Sequence, residues 1–153
     1  MGSVDLKSIP WQCIPRSRRC RVLAALLGTK VRDLAEAIGI SASLFHRIVC
    51  GKQKDTQHNA ESMKKIYEYG IPQEVFVDES PAECHIDWAA IPRKARGLLW
   101  FALNNTDIDF LAKQTNACRV TLGRVIEGKH TKKTTQYYVD LLVNAGMPRE
   151  MFL

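Results

Sequence analysis

No run of apolar residues in this 153-residue chain approaches the roughly 18 that a membrane-spanning helix needs. Its first residues, Met1 to Leu6, offer neither a basic region followed by an apolar stretch nor a myristoylation signal, which predicts a cytosolic protein without a membrane partner. Paired cysteine motifs are absent. Cys13, Cys20, Cys50, Cys84 and Cys118 are odd in number and scattered, with no C-x-x-C couple and no histidines at ligand spacing, so reduced thiols and no metal site are expected. The one adjacent couple, Cys84-His85, falls in a linker with no second pair near it. Carboxylates are dispersed, no Ser/His/Asp or Cys/His grouping has recognisable spacing, and no glycine-rich phosphate loop occurs. His46 has no evident partner for base catalysis. These absences predict a protein that is not an enzyme, with no catalytic residues, no cofactor and no small-molecule substrate.

What is present is said twice. Ile9, Trp11 and Ile14-Pro15-Arg16 recur 77 positions later as Ile86, Trp88 and Ile91-Pro92-Arg93. Leu34-Ala35 recurs as Leu111-Ala112, Arg47 as Arg124, and Gly51-Lys52 as Gly128-Lys129. After a one-residue slip, Gly70, Pro72, Glu74 and Phe76 are answered by Gly146, Pro148, Glu150 and Phe152. Self-similarity at a fixed period decides architecture before local patterns do. Two copies predict a duplicated domain, 9–77 and 86–153, joined by a linker at 78–85. Each copy is just large enough to bury a core, and the composition, 46% hydrophobic and 25% charged, is that of a folded chain.

Charge follows the same division. The first copy holds 11 Lys/Arg against 6 Asp/Glu and the second 10 against 6, while the linker carries three acids and no base. Each copy is basic in its own right, as a surface that sits on phosphate would be.

Helical spacing runs through both copies. In the first, Pro15 opens a helix in which Val22, Ala25 and Leu26 recur on one face, and Gly28 stops it. Thr29 is read as the cap of a second helix to Ile38 with Val31, Leu34, Ala35 and Ile38 inward. Gly39 ends it by a left-handed turn. Ser41 caps a third helix to Cys50 with Leu44, Phe45 and Ile48 inward. A fourth helix over 59–69 buries Met63, Ile66 and Tyr67, and 72–76 forms one more turn. The second copy repeats the plan at 92–103, 107–115, 118–127, 135–145 and 148–151, with Thr106 and Asp109 resembling a capping box. Ser80-Pro81-Ala82-Glu83 is a better capping box, which gives the linker one helical turn. The expected fold is all-α, with four to five helices per domain. Trp11 and Trp88 read as lids on the core, and the surplus apolar face of 98–103 suggests that Trp100 or Phe101 packs between the copies or on a second chain.

The segment 31–52 resembles the helix-turn-helix of the lambda-repressor-like (Cro and Xre) family. The residues that carry the resemblance are Leu34-Ala35, Gly39, Ile40, Phe45, Ile48 and Gly51. Ala35 is small where two helices cross, Gly39 takes the turn, and the apolar positions clamp the third helix to the second. The second copy keeps Leu111-Ala112, Leu122, Val125 and Gly128 but has Thr115 and Asn116-Ala117 at the turn; asparagine is the next most tolerant residue for a left-handed backbone.

The resemblance implies that the third helix enters the DNA major groove by its N-terminal residues. Base-reading candidates are then Ser41, Ala42, Ser43, His46 and Arg47 in the first copy, and Cys118, Arg119, Val120, Gly123 and Arg124 in the second. Arg119 is the sharpest, since a guanidinium there can bond guanine in a bidentate way. Phosphate contacts fall to Lys52, Lys54, Lys129, Lys132 and Lys133 and to the helix starts at Thr29 and Thr106. The cluster Arg16, Arg18, Arg19 and Arg21 lies on the first helix and is read as solvent-exposed or flanking phosphate. The implied function is that of a transcriptional regulator, and the resemblance suggests a small repressor encoded by a phage or other mobile element. It would bind double-stranded DNA through two non-identical readers in one chain, on an asymmetric operator as a monomer or a composite palindrome as a homodimer. The alternative is a protein-interaction module of antirepressor or antiactivator type, favoured by the charge-poor third helix of the second copy; binding to structured RNA is a further class.

Overall fold

The computed structural model describes residues 4–52, 57–80 and 83–153, and among them every regular element is helical. The chain divides into two compact units, Met1–Ile86 and Asp87–Leu153. In the first, α1 (Arg16–Leu26), α2 (Val31–Ile38), α3 (Ala42–Val49) and α4 (Gln57–Tyr69) are framed by 3-10 turns at Leu6–Ser8, Trp11–Cys13 and Gln73–Phe76. In the second, α5 (Arg93–Leu103), α6 (Ile108–Thr115), α7 (Arg119–Ile126) and α8 (Thr135–Asn144) lie between 3-10 turns at Trp88–Ala90 and Arg149–Phe152.

Helices of eight residues, such as α2, α3, α6 and α7, are not stable alone. Burial holds them. Leu34, Ala35 and Ile38 of α2 meet Phe45, Ile48 and Val49 of α3, over Leu23 and Leu26 of α1 and Ile66 of α4, and each fully buried side chain of this kind contributes about 1.5–3 kcal/mol. Leu111, Leu122, Val125, Leu99 and Leu142 do the same in the second unit. The turn before the third helix is made twice by different chemistry. Gly39 sits at φ +95° and Asn116 at +53°, and in each case the next amide, of Ile40 or Ala117, reaches back to the carbonyl of Ala35 or Ala112 at 3.1 Å. Trp11 is fully enclosed and donates from Nε1 to the Leu6 carbonyl at 2.7 Å; Trp88 is buried as well. Tyr67, expected inside, is 45% exposed and meets Phe76 edge-on at 5.9 Å. Trp100 is buried over Gly146 within its own unit, with Phe101 edge-on to it, so its apolar surface is already used there.

Three expectations are corrected. Thr29 and Thr106 do not cap helices. Lys30 and Asp107 hold those positions, because the chain turns one residue later than the capping pattern placed it. The Thr29 and Thr106 amides are spent on the carbonyls of Ala24 and Phe101, while the Asp107 carboxylate accepts the Phe110 N–H at 2.9 Å. The thiols are not all reduced: Cys13 and Cys84 form a disulfide. Much of the expected linker is also laid against the first unit, since Glu79 Oε1 accepts the Arg16 amide at 2.7 Å and the Ser80 amide donates to the Gln12 carbonyl at 3.0 Å. Pro81 and Ala82, with the helical turn read there, lie outside the described residues.

Arg19 corrects the reading of the first helix. It is wholly buried, donating from Nε to the Ile14 carbonyl at 2.9 Å and from Nη1 to the carbonyls of Val75, at 2.9 Å, and Val77. Arg96 repeats this with Ile91, Met151 and Leu153 at 2.8, 3.1 and 3.0 Å. Each guanidinium thereby ties the segment that leads into the first helix to the end of its unit.

The helix crossings differ in a compensated way. A Cβ on Gly97 of α5 would stand 2.6 Å from Cγ2 of Ile126 on α7, and 77 positions earlier the same places hold Cys20 and Val49. The bulk lost on one helix is regained on the other. Gly97→Ala is expected to destabilise the second unit by about 1 kcal/mol, as about 1–3 of overpacking is offset by about 1 of helix propensity. Adding Ile126→Val should return the stability to the parent value or above it in urea denaturation. A Gly97→Ala protein as stable as the parent would remove this account of the crossing.

Candidate nucleic-acid interface

The two third helices, α3 and α7, each bury one face and expose the other. On α3, Phe45, Ile48 and Val49 are enclosed, whereas Ser43, His46 and Arg47 are exposed and Ala42 is half-buried. Ser41 stands at the N-cap, where its Oγ accepts the Leu44 amide at 3.1 Å, as its place in the sequence predicts. His46 also lies against Cys50, with Nε2 3.4 Å from Sγ.

On α7, Leu122, Val125 and Ile126 are enclosed, Arg119, Val120 and Arg124 are exposed, and Gly123 is half-buried against Ile108. Cys118 takes the N-cap place and is exposed. The amides of Thr121 and Val120 at the open helix start favour its thiolate and lower its pKa. Arg119 Nη1 is paired with Asp109 Oδ1 of α6 at 3.2 Å, and both groups face solvent. An exposed pair of this kind is worth about 0–1 kcal/mol, less than the about 1–3 of a bidentate guanine contact, so the pairing orients Arg119 without withholding it from a base.

The C-terminal ends of these helices carry a feature that the sequence pattern did not disclose. Arg16 of α1 donates from Nε to the Val49 carbonyl at 3.1 Å and from Nη2 to that of Ile48 at 3.4 Å. Arg93 of α5 donates in the same way to Ile126 at 2.9 Å and Val125 at 3.2 Å. A cation on the last carbonyls satisfies groups the helix leaves unpaired and opposes its dipole. Gly51 makes room for this, since a Cβ there would fall 2.7 Å from Arg16 Nη1. In the second unit the Arg93 guanidinium also lies over the Phe152 ring at 5.6 Å. The recurrence of Ile-Pro-Arg before both first helices is the one trace of this in the sequence.

The described basic residues after the third helices lie at the surface. Lys52, Lys132 and Lys133 are exposed; Lys129 is exposed too, with Nζ 2.9 Å from Glu127 Oε2. Lys54 lies outside the described residues. Thr29 and Thr106 are half-buried in the preceding turns and present no free amide for phosphate. Of the arginine cluster, only Arg21 is fully exposed. Cys84, being disulfide-bonded, supplies no thiolate for a metal beside His85, and among the described residues no group of three His, Cys, Asp or Glu is placed to hold one. Among the same residues no helix is long and apolar enough to cross a membrane.

Comparison with protein-family models, with curated proteins and with solved structures gave no match.

Proposed function

We propose that the chain is a sequence-specific, double-stranded-DNA-binding transcriptional regulator that carries two non-identical helix-turn-helix readers of the lambda-repressor-like kind. What most supports this is the paired construction of the third helices. Each is pinned at its end by an arginine 77 positions from its counterpart, and each presents polar or basic side chains outward from a basic unit. Rigid placement of a helix whose outer face is free is what groove reading needs. In this reading α3 offers Ser41, Ala42, Ser43, His46 and Arg47 to base edges and α7 offers Cys118, Arg119, Val120 and Arg124. Lys52, Lys129, Lys132 and Lys133 then hold phosphates, and the protein works in the cytoplasm, where its operator is.

Selection of bound duplexes from a random pool at two salt concentrations tests this. A defined motif with affinity that falls steeply with salt is the expected result. Arg119→Ala should relax preference at one base position, by about 1–3 kcal/mol of discrimination, while Lys52→Ala or Lys129→Ala should weaken all sequences alike and flatten the salt slope by about one. An unchanged motif in Arg119→Ala would remove α7 from the base-reading assignment.

One observation favours a second reading for the second unit alone. Phe110 of α6 is 61% exposed and Val120 of α7 64%, and two such side chains suit a protein partner better than a phosphate backbone. If that unit binds another regulator, the selected motif will be a single half-site and Val120→Asp will leave it intact.

A further inference from the structure

We propose that the Cys13–Cys84 disulfide is a redox-set clamp on the chain between the two units, short when the bond is closed and long when it is reduced, and that it thereby sets which half-site separations the protein accepts. The last clause rests on the DNA-binding reading; the clamp itself does not. Cys13 lies in the 3-10 turn before α1 and Cys84 after the last turn of the first unit, with Cα atoms 6.6 Å apart and 71 positions between them in sequence. Cys13 has no cysteine counterpart in the second unit, where position 90 is alanine, so the bond belongs to no shared core plan.

With the bond closed, the chain is tied to the first unit at residue 84, and Trp88 is already buried in the second. The span from 84 to 88 covers at most about 14 Å by the extended-chain limit. Without the bond, the last hold of the chain on a buried side chain of the first unit is the part-buried Val77 carbonyl, which accepts from the enclosed Arg19 guanidinium. The Glu79 and Ser80 contacts beyond it are single bonds at exposed residues, which open readily. From 77 to 88 the chain reaches about 38 Å. The change exceeds half of the about 34 Å that separates half-sites one helical turn apart.

The bond is open to chemistry, because Cys84 is exposed and Cys13 half-buried, whereas Cys20 is enclosed with its thiol pKa pushed up to about 12 by burial. A dithiol reductant breaks the Sγ–Sγ bond, passes two electrons and two protons to leave two thiols, and becomes a cyclic disulfide itself. A disulfide oxidant reverses the step.

The test uses the full chain, oxidised in air or treated with dithiothreitol, beside Cys84→Ser. Mass spectrometry after denaturing alkylation should find three labelled cysteines, Cys20, Cys50 and Cys118, in the oxidised chain and five in the reduced one. Cleavage after Glu79 and Glu83 by a glutamate-specific protease should be about tenfold faster in the reduced chain and in Cys84→Ser. On duplexes with half-sites at graded separations, these two forms should tolerate several separations and the oxidised chain a narrow set. Five labelled cysteines in the oxidised chain, or equal cleavage rates, overturns the clamp. A clamp that passes both while every form accepts the same separations loses its role in spacing. If no form binds DNA, the regulator reading fails with that spacing role, and the clamp stands or falls on labelling and cleavage.

Discussion

Arg19→Ala is expected to lower the unfolding free energy of the first unit by about 3–5 kcal/mol, since each buried carbonyl left without its donor costs about 1–3 kcal/mol and the truncated side chain leaves a cavity. The side chain is wholly enclosed, and its loss strands the buried carbonyls of Ile14 and Val75, frees the part-buried one of Val77 and opens a void. Small domains are stable by only about 5–15 kcal/mol, so this loss would remove a large fraction of the stability of the first unit. Arg19→Met keeps most of the bulk and separates packing from hydrogen bonding; it should recover a minor part. Arg19→Lys should also recover little, because an ammonium cannot fork between two chain segments, and burial already lowers even the Arg19 pKa, with the Arg16 charge adding to it. Arg21→Ala, on the exposed side of the same helix, should stay within about 0.5 kcal/mol of the parent. Urea denaturation followed by circular dichroism measures all four, and an Arg19→Ala transition that coincides with that of Arg21→Ala would leave the Arg19 hydrogen bonds without weight.

Arg19 also shows where sequence reasoning reached its limit. Its charge suggested solvent or phosphate, yet it shares a helical face with Val22, Leu23 and Leu26, and its counterpart Arg96 lies 77 positions on among Leu99, Trp100 and Leu103. Position in the repeat carried the information that residue type concealed. Features governed by local backbone chemistry were legible: the left-handed turns at Gly39 and Asn116, the Ser41 cap, and the enclosed faces of α2 and α3. Where two capping residues stood side by side, as Thr106 and Asp107 do, the pattern could not choose, and the carboxylate took the place. The Cys13–Cys84 bond joins positions 71 apart with no local signature. Tyr67 had the spacing of a core residue, but Ile66 beside it takes the enclosed position and its ring packs on Phe76 at the surface. At the candidate interface, the outward positions of α3 and α7 came from the resemblance, and Ser43, His46, Arg47, Arg119, Val120 and Arg124 are exposed. Asp109 against Arg119, and the arginines on the far ends of both helices, depend on tertiary contacts that no window along the chain contains.

Cutting the chain between its units is expected to weaken binding to a duplex with both half-sites by about 100- to 10,000-fold relative to the intact protein, since the second contact then loses its effective concentration. The separated pieces, 1–86 and 87–153, each keep their own enclosed core, and the first keeps both cysteines of its disulfide. Circular dichroism on each piece checks that folding survives, so that lost affinity reports lost tethering. A second alteration calibrates the first: inserting eight Gly/Ser residues after His85 lengthens the joint without abolishing it. Loop entropy grows only as the logarithm of length, at about 0.6 kcal/mol per doubling, so the insertion should cost no more than about tenfold. A steep loss on cutting with a shallow loss on lengthening identifies tethering as the source of affinity. If the mixed pieces bind as tightly as the whole chain, each unit recognises its partner independently. If 1–86 alone keeps the full affinity, the second unit takes no part in DNA binding, and the exposed Phe110 and Val120 become the place to look for a protein partner.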